Sequence, residues 1–485
     1  MTTHLTTYTT IGLTGVRVGV EVDIQAGIPG FAVIGLADPQ IQELRERVRS
    51  AITNSGYVVP ARRIVVNLTP SFVRKNAPAL DLPVALAVIA ADGSGTPLSV
   101  RDDLHQFAAV GELALDGSLR SVTGVLPVAE AAAAAGVKYL IVPEQNAKEA
   151  ALADITVLPA ATLADAAGFL VSDVEHTITP HRPATQEVDA LPQAGQPDMA
   201  DIKGFADAKR ALVIAAAGRH SILLIGAAGT GKTMLARRLP GILPPLNDGE
   251  ALEVTRIQSV VGLLPCDSGL VDRRPFRAPH YTISLPGLLG GGRGPLPGEV
   301  SIAHTGVLML DEVPAFSPGA VEAVMQTVRA GQSIVCRGDI TCSFPADTVV
   351  VATAPPCPCG QAPTRAPGSC RCSDTSYGAR YRDRLSALAR LFDMVVYLTR
   401  DDIAQTTATA TGEDQLSSAE YRADSTNARR TPPTSKLSAV DLGLHGYSDG
   451  DLSLLRVART IADIYDVDEI SDEHLAEARN YTTTR

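Results

Sequence analysis

GAAGTGKT, the run Gly226, Ala227, Ala228, Gly229, Thr230, Gly231, Lys232 and Thr233, is the stretch on which the reading of this chain turns. The apolar residues Ile222 to Ile225 lead into it, and a helix-like pattern through Met234, Leu235 and Leu239 leads out. Strand, glycine-rich turn and helix, in that order, form the context in which such a motif cradles phosphate. Glycines let the backbone curl so that successive N–H groups face one anion, and the start of the helix adds its positive end. The motif places Lys232 to reach the β and γ phosphates of ATP and the Thr233 hydroxyl to ligate Mg2+.

Working outward, the matching partner is VLMLDEV, Val307 to Val313. Four apolar residues read as a buried strand that ends in two acids. Downstream of a P-loop, Asp311 is expected to hold Mg2+ and Glu312 to orient the attacking water. Lys232 and Glu312 are therefore the candidate catalytic residues, with Thr233 and Asp311 as candidate Mg2+ ligands.

The 485 residues suit about two to four domains. The composition, 45% hydrophobic and 20% charged, is that of an ordinary globular protein, and without Trp its cores must rest on Ala, Val, Leu and Ile. A net charge of -11 argues against a protein that coats nucleic acid with its whole surface, so any DNA contact must be a local basic patch. No secretory signal or membrane-length apolar run is present, and the cysteine usage suits a reducing cytoplasm; both point to a cytoplasmic protein without a membrane partner.

Strand-like runs (Val16 to Ile24, Phe31 to Leu36, Arg63 to Leu68, Tyr139 to Val142) alternate with helical ones (Ile41 to Asn54, Ala129 to Gly136), which reads as an α/β domain over 1–172. A proline-bearing polar stretch, 173–200, reads as a linker. The nucleotide-binding domain takes 201–400. A Thr- and Ser-rich stretch, 401–435, reads as loop with one short helix, and 436–485 as a small helical domain in which Ser471 caps a helix.

Cys357, Cys359, Cys370 and Cys372 form two C-x-C knuckles around a turn-rich loop, 357–372. Four thiolates so arranged suit tetrahedral Zn2+ with no open position, hence a structural metal. Reduced thiols or a redox pair are the alternative. Cys266, Cys336 and Cys342 read as core residues. Arg273, Arg274, Arg277 and Arg293, with His280 and no acid between them, form a candidate DNA-facing stretch, and a second basic stretch runs from Arg365 to Arg384. Solvated arginines, or ones reaching a neighbouring subunit's nucleotide, are the alternative.

PFRAPHYTIS (Pro275 to Ser284), PGEVSIAHTGVLMLDEVPAFS (Pro297 to Ser317), CPCG (Cys357 to Gly360) and VARTIAD (Val457 to Asp463) resemble the YifB/ComM family of magnesium-chelatase-like AAA+ proteins. The resemblance covers nearly the whole chain. It implies an N-terminal Lon-protease-like (S5 domain 2-like) α/β domain, a P-loop AAA+ α/β domain with an inserted zinc-binding loop, and a small C-terminal helical lid. In the first domain, Val84 and Leu126 stand where Lon-type proteases carry their Ser and Lys, so a scaffold or partner-binding role without peptide substrate is expected. The family further implies a homo-oligomeric, hexameric ring that uses ATP to move on DNA, as in branch migration.

Three positions depart from the family pattern. Pro355 stands where a polar sensor is expected, Leu391 where an arginine would reach the neighbour's γ-phosphate, and Asp449 where the lid would offer a sensor arginine. Arg390, one place away, is the candidate trans arginine. Three functions therefore compete: an ATP-driven DNA-remodelling ring, an ATP-binding assembly with little turnover that binds DNA or protein, and a magnesium-chelatase-type motor subunit.

Overall fold

A computed structural model describes residues 2–71, 73, 75–92, 101, 103–171, 197–292, 294–360, 370, 372, 375–398, 416–428, 433–438 and 452–482. The N-terminal domain is built on a seven-stranded sheet. Its strands are β1 (Thr2–Ile11), β2 (Thr14–Gln25), β3 (Gly30–Ile34), β4 (Arg63–Thr69), β5 (Phe107–Ala109), β6 (Tyr139–Pro143) and β7 (Thr156–Ala160), in the spatial order β3-β4-β2-β1-β5-β6-β7. Along β2, Val18, Val20, Val22 and Ile24 are buried while their neighbours are less so, the period-2 pattern that sets register. β1 and β2 pair antiparallel around a tight turn in which Gly12 takes φ +58. The alternation seen in the sequence marks β2, β3, β4 and β6. It does not mark β1, whose Thr-rich run shows no apolar alternation although Thr favours strands.

Helices α1 (Asp38–Asn54), α2 (Asp81–Ala91) and α3 (Val125–Ala134) pack on this sheet. Nearly all of α2 is buried, including Val84, and so is Leu126 in α3. Asp81 at the start of α2 is fully buried and takes a bidentate pair from Arg47 at 2.6 and 3.1 Å. Burial still pushes its carboxyl up to about 6.

The second domain centres on five parallel strands: β8 (Ile222–Gly226), β9 (Phe276–Arg277), β10 (Val307–Leu310), β11 (Val349–Ala354) and β12 (Met394–Leu398), ordered β9-β10-β11-β8-β12. The central strands β8, β10 and β11 are almost continuously apolar because helices cover both faces. Since β10, β11 and β8 are neighbours, the loops that leave their C-terminal ends converge on one crevice, where open parallel sheets carry their ligands.

Around the sheet lie α4 (Ala206–Gly218), the P-loop helix α5 (Lys232–Ala236), α6 (Asp248–Val261) and α7 (Pro318–Ala330). A hairpin, Gln332–Arg337 with Ile340–Pro345, follows α7, and α8 (Ser376–Ala389) leads into β12. α5 stops sooner than its apolar spacing suggests. Pro240 has no N–H to donate to the Ala236 carbonyl, and a separate short helix, Leu239–Ile242, begins beside it.

The C-terminal part consists of α9 (Ser418–Asn427), α10 (Leu452–Ile464) and α11 (Asp472–Arg479). Ser471 caps α11 as expected, in a capping box closed by His474. Two stretches read as linkers in part belong to the core. Met199 is buried, its N–H donates to Ser418 Oγ at 2.8 Å, and Arg238 Nε donates to the Asp198 carbonyl at 2.6 Å. α9 in turn buries Ser425, whose hydroxyl donates to the Ile242 carbonyl at 2.5 Å. Polar bonds to backbone, together with Met199 and Tyr421 packed into the domain core, seat these segments. The last helices are tied back by a 2.7 Å bond between His220 Nε2 and Thr460 Oγ1, by the Arg210–Glu477 pair, and by Val395 N–H donating to the Tyr481 carbonyl.

The two α/β domains touch over a polar and an apolar patch. Glu149 of the first domain is buried and accepts from Ser259 Oγ of α6 at 2.5 Å, from Leu126 N–H and from Asn146. Arg256 of α6 pairs bidentately with Glu130, and Gly124 N–H donates to the Ser259 carbonyl. Nearby, Ile11 and Leu13 of the β1–β2 turn pack on Val335, Ile340, Cys342 and Phe344 of the hairpin after α7. Among the described residues no helix is long and apolar enough to cross a membrane.

Candidate functional site

The crevice at the strand ends assembles the P-loop and the two acids. Gly229 and Gly231 adopt φ +78 and +83, a left-handed backbone that side chains resist, and these two residues turn the chain from β8 into α5. Thr230 is buried and its hydroxyl donates to the Ala227 carbonyl at 2.8 Å, which stiffens the loop from inside. Lys232 donates to the carbonyls of Gly226 and Ala227 at 2.8 and 2.7 Å. Burial lowers the pKa of this ammonium, and the nearby Asp311 and Glu312 work against that shift.

Asp311 sits just past β10. Its Oδ1 accepts from Thr233 Oγ1 at 3.3 Å and from Thr353 Oγ1 at 2.5 Å. Thr353 lies on β11, is 1% exposed, and also accepts from the Glu312 N–H at 2.9 Å. One hydroxyl thus fixes both acids. Glu312 has φ +54, an uncommon conformation for a side-chain-bearing residue and one that the bond from Thr353 helps hold. Its carboxylate makes no hydrogen bond or ion pair among the described residues. Sequence reasoning passed over Thr353. The signal was there: one hydroxyl inside the apolar run VVVATA, two residues before Pro355.

Pro355, at the expected sensor position, contributes only its carbonyl, which accepts from Tyr381 Oη at 2.8 Å. Arg390 is exposed at the C-terminal end of α8, while Leu391 is half-buried and its carbonyl accepts from Arg329 at 2.7 Å. Asp449 lies outside the described residues, as does Arg293.

The first cysteine knuckle leaves β11 directly. Cys357 is buried, and the four Sγ atoms lie within 4.8 Å of one another. Separations of 3.3 Å (Cys357–Cys359), 3.8 Å (Cys359–Cys370) and 3.7 Å (Cys370–Cys357) are near the ~3.8 Å edge of a tetrahedron with Zn–S bonds of ~2.3 Å. Hydrogen bonding to Cys359, with burial, pushes the Cys372 thiol up to about 11. Four crowded sulfurs cannot all ionise unless a cation joins them, so the donor set fits Zn2+. A side chain at Gly360 would stand near Ala228 of the P-loop, which puts the knuckle against the nucleotide crevice. Cys342 is buried as expected, whereas Cys266 and Cys336 are exposed; both sit in surface segments whose polarity outweighs the general tendency of Cys to be buried.

The arginines of the first basic stretch divide. The Arg274 guanidinium pairs with Glu250 and donates to the carbonyls of Pro244, Pro245 and Thr305, and Arg277 forms a bidentate pair with Glu299. Both hold backbone and acids within the domain. Arg273 remains largely exposed beside Asp272. The acids that engage Arg274 and Arg277 come from α6 and from the segment before β10, distant in sequence, and the local absence of acids hid them.

A parallel sheet of this order, with the P-loop after β8 and paired acids after β10, the next strand but one, defines a P-loop protein of the AAA+ ATPase class. A family model described as "Magnesium chelatase, subunit ChlI" matches residues 198–406, and one described as "Subunit ChlI of Mg-chelatase" matches residues 20–146. Over 97% of this chain and 95% of the relative, the sequence is 35% identical to "Uncharacterized protein YifB" of Salmonella typhimurium. It is 36% identical, at the same coverage, to "Competence protein ComM" of Haemophilus influenzae. A further relative, the "Magnesium-chelatase 38 kDa subunit" of Rhodobacter capsulatus, is 26% identical over 32% of this chain and 49% of its own length. The chain belongs to the YifB/ComM family of magnesium-chelatase-like proteins.

Proposed function

We propose that the protein is a magnesium-dependent ATPase that assembles as a homo-oligomeric ring, hexameric in keeping with its family, and couples ATP hydrolysis to the remodelling of DNA. The observation that carries the ATPase reading is the constellation on Asp311. Thr233 and Thr353 converge on one carboxylate oxygen, and the same Thr353 holds the backbone of Glu312. This is the arrangement needed to bind Mg2+ beside a P-loop and to orient a water for attack. Exposed Arg273 offers a phosphate contact for DNA, and Arg390, exposed at the end of α8, is the candidate to reach a neighbouring subunit's nucleotide. Cys357, Cys359, Cys370 and Cys372 would hold one structural Zn2+.

A second reading, an ATP-binding assembly with little turnover, draws on Pro355 and Leu391, which remove groups that sense or stabilise the transferring phosphoryl. Loss in the transition state alone lowers turnover without weakening ground-state binding. The deciding experiment is ATP turnover with and without branched DNA, on the wild type, Lys232→Ala and Glu312→Gln. The ATPase reading expects Lys232→Ala to lose most ATP affinity and Glu312→Gln to bind ATP without hydrolysing it. Wild-type affinity in Lys232→Ala would show that the crevice is not the nucleotide site.

A further inference from the structure

α8 begins in the second basic stretch, and four of its residues, Tyr377, Arg380, Tyr381 and Arg384, are spaced i, i+3, i+4 and i+7. On a helix that spacing forms one stripe, which is usually apolar and faces a core. Here the stripe is two arginines and two tyrosines, and it lines a cavity of about 370 Å3 that Glu312 also lines. The Arg384 Nη2 donates to the Phe316 carbonyl at 2.5 Å, yet its Nε is buried with no acceptor among the described residues. A buried donor left unmade is costly and calls for an explanation. Arg380 is exposed, its Nε only 3.3 Å from the Ser376 carbonyl.

We propose that this cavity is a binding site for inorganic orthophosphate, held by Arg380, Arg384 and Glu312. The chemistry selects the ligand. Two guanidiniums call for an oxyanion. A carboxylate with no donor of its own calls for a ligand that also carries a proton. HPO4 2- meets both demands: its P–OH donates to Glu312 and its remaining oxygens accept from the arginines. Sulfate and a nucleic-acid phosphodiester supply the charge but no such proton, so each would leave Glu312 facing an anion. The role assigned to this site rests on the ATPase reading above. In hydrolysis the attacking water and the leaving oxygen lie roughly in line across the γ-phosphorus. Product phosphate therefore leaves on the side of the water, which is the side Glu312 marks. The cavity receives it there.

The test needs no turnover. Orthophosphate and sulfate are titrated calorimetrically into the full chain in the presence of MgADP. Phosphate is expected to bind more tightly than sulfate by about tenfold or more, the loss of one charged hydrogen bond. Arg380→Ala, a surface change, is expected to weaken phosphate by a similar factor with MgADP affinity unchanged. Glu312→Gln, whose amide donates, is expected to level or reverse the preference over sulfate. Arg384→Ala carries less weight because Arg384 also anchors Phe316. Equal binding of the two anions, no binding of either, or phosphate affinity unaffected by Arg380→Ala would overturn the proposal. A short single-stranded oligonucleotide that competes with phosphate and is weakened by Arg380→Ala would overturn it in favour of a nucleic-acid phosphate. The two readings fail separately. Phosphate bound without any ATP hydrolysis would sink the ATPase function and leave the site, whereas hydrolysis without phosphate binding would do the reverse.

Discussion

Replacing Thr353 by Val keeps the shape of a buried β-branched residue and deletes one hydroxyl. That hydroxyl donates to Asp311 at 2.5 Å and accepts from the Glu312 N–H at 2.9 Å. A hydrogen bond to a charged group contributes about 1.5–3 kcal/mol, and the part-buried Glu312 N–H, left without its acceptor, adds the lower end of the ~1–3 kcal/mol that a buried donor costs. The expected loss is therefore about 3 kcal/mol in the unfolding of the nucleotide-binding domain, read by denaturant titration. Turnover should suffer as well. Glu312 sits at φ +54, where a side-chain-bearing residue is disfavoured by about 1–2 kcal/mol. Freed from Thr353, it has that much incentive to relax away from the water it orients, which corresponds to roughly a tenfold fall in rate. ATP affinity, set by the P-loop, should change little. Thr353→Ser keeps both bonds, loses one methyl and should restore turnover. If Thr353→Val kept full turnover and stability, or if Thr353→Ser were as damaged as Val, the hydroxyl would not be the link between the acids.

Two further outcomes are expected. Purified protein should carry close to one equivalent of zinc per chain, and Cys370→Ala should lower both zinc content and melting temperature, because structural zinc contributes folding free energy; a metal-free chain that melts unchanged would refute this. The fully buried His220 is pushed down from 6.5 to about 4, by desolvation first and by Arg456 in addition, with Asp393 opposing. The folded state then disfavours its protonation, so its contribution is complete above pH ~6.5 and fades as pH falls toward ~4, by up to about 3 kcal/mol. His220→Gln, which does not titrate, should flatten that part of the stability–pH curve, and an unchanged curve would assign the loss to other groups.

The nucleotide crevice was legible in sequence because its parts are local. GAAGTGKT and the acids after VLML each announce themselves within eight residues, and the strand context follows from continuous apolar runs. The cysteine cluster was legible for the same reason. What escaped was whatever depends on partners far along the chain. Thr353 matters only because β11 lies between β10 and β8, and no local pattern states strand order. Arg274 and Arg277 looked free because Glu250 and Glu299 lie about two dozen residues away. β1 was missed because its Thr-rich run shows no apolar alternation, whereas α9 is the short helix expected between 401 and 435, with its docking through Ser418 and Ser425 unforeseen.

The seam between the first two domains bears on how such a machine could move. Glu149 is shared by Leu126 and Asn146 on one side and Ser259 on the other, and the β1–β2 turn is lodged against the hairpin that follows α7. A polar bolt and a greasy clasp join the two domains side by side. Swinging the N-terminal domain free would break the Ser259 bond to Glu149 and wet an apolar cluster in one stroke. The two domains are thus built to travel as one piece. In the ring proposed above, any motion coupled to ATP would fall between chains or at the C-terminal helices, with the N-terminal domain carried along as an outrigger.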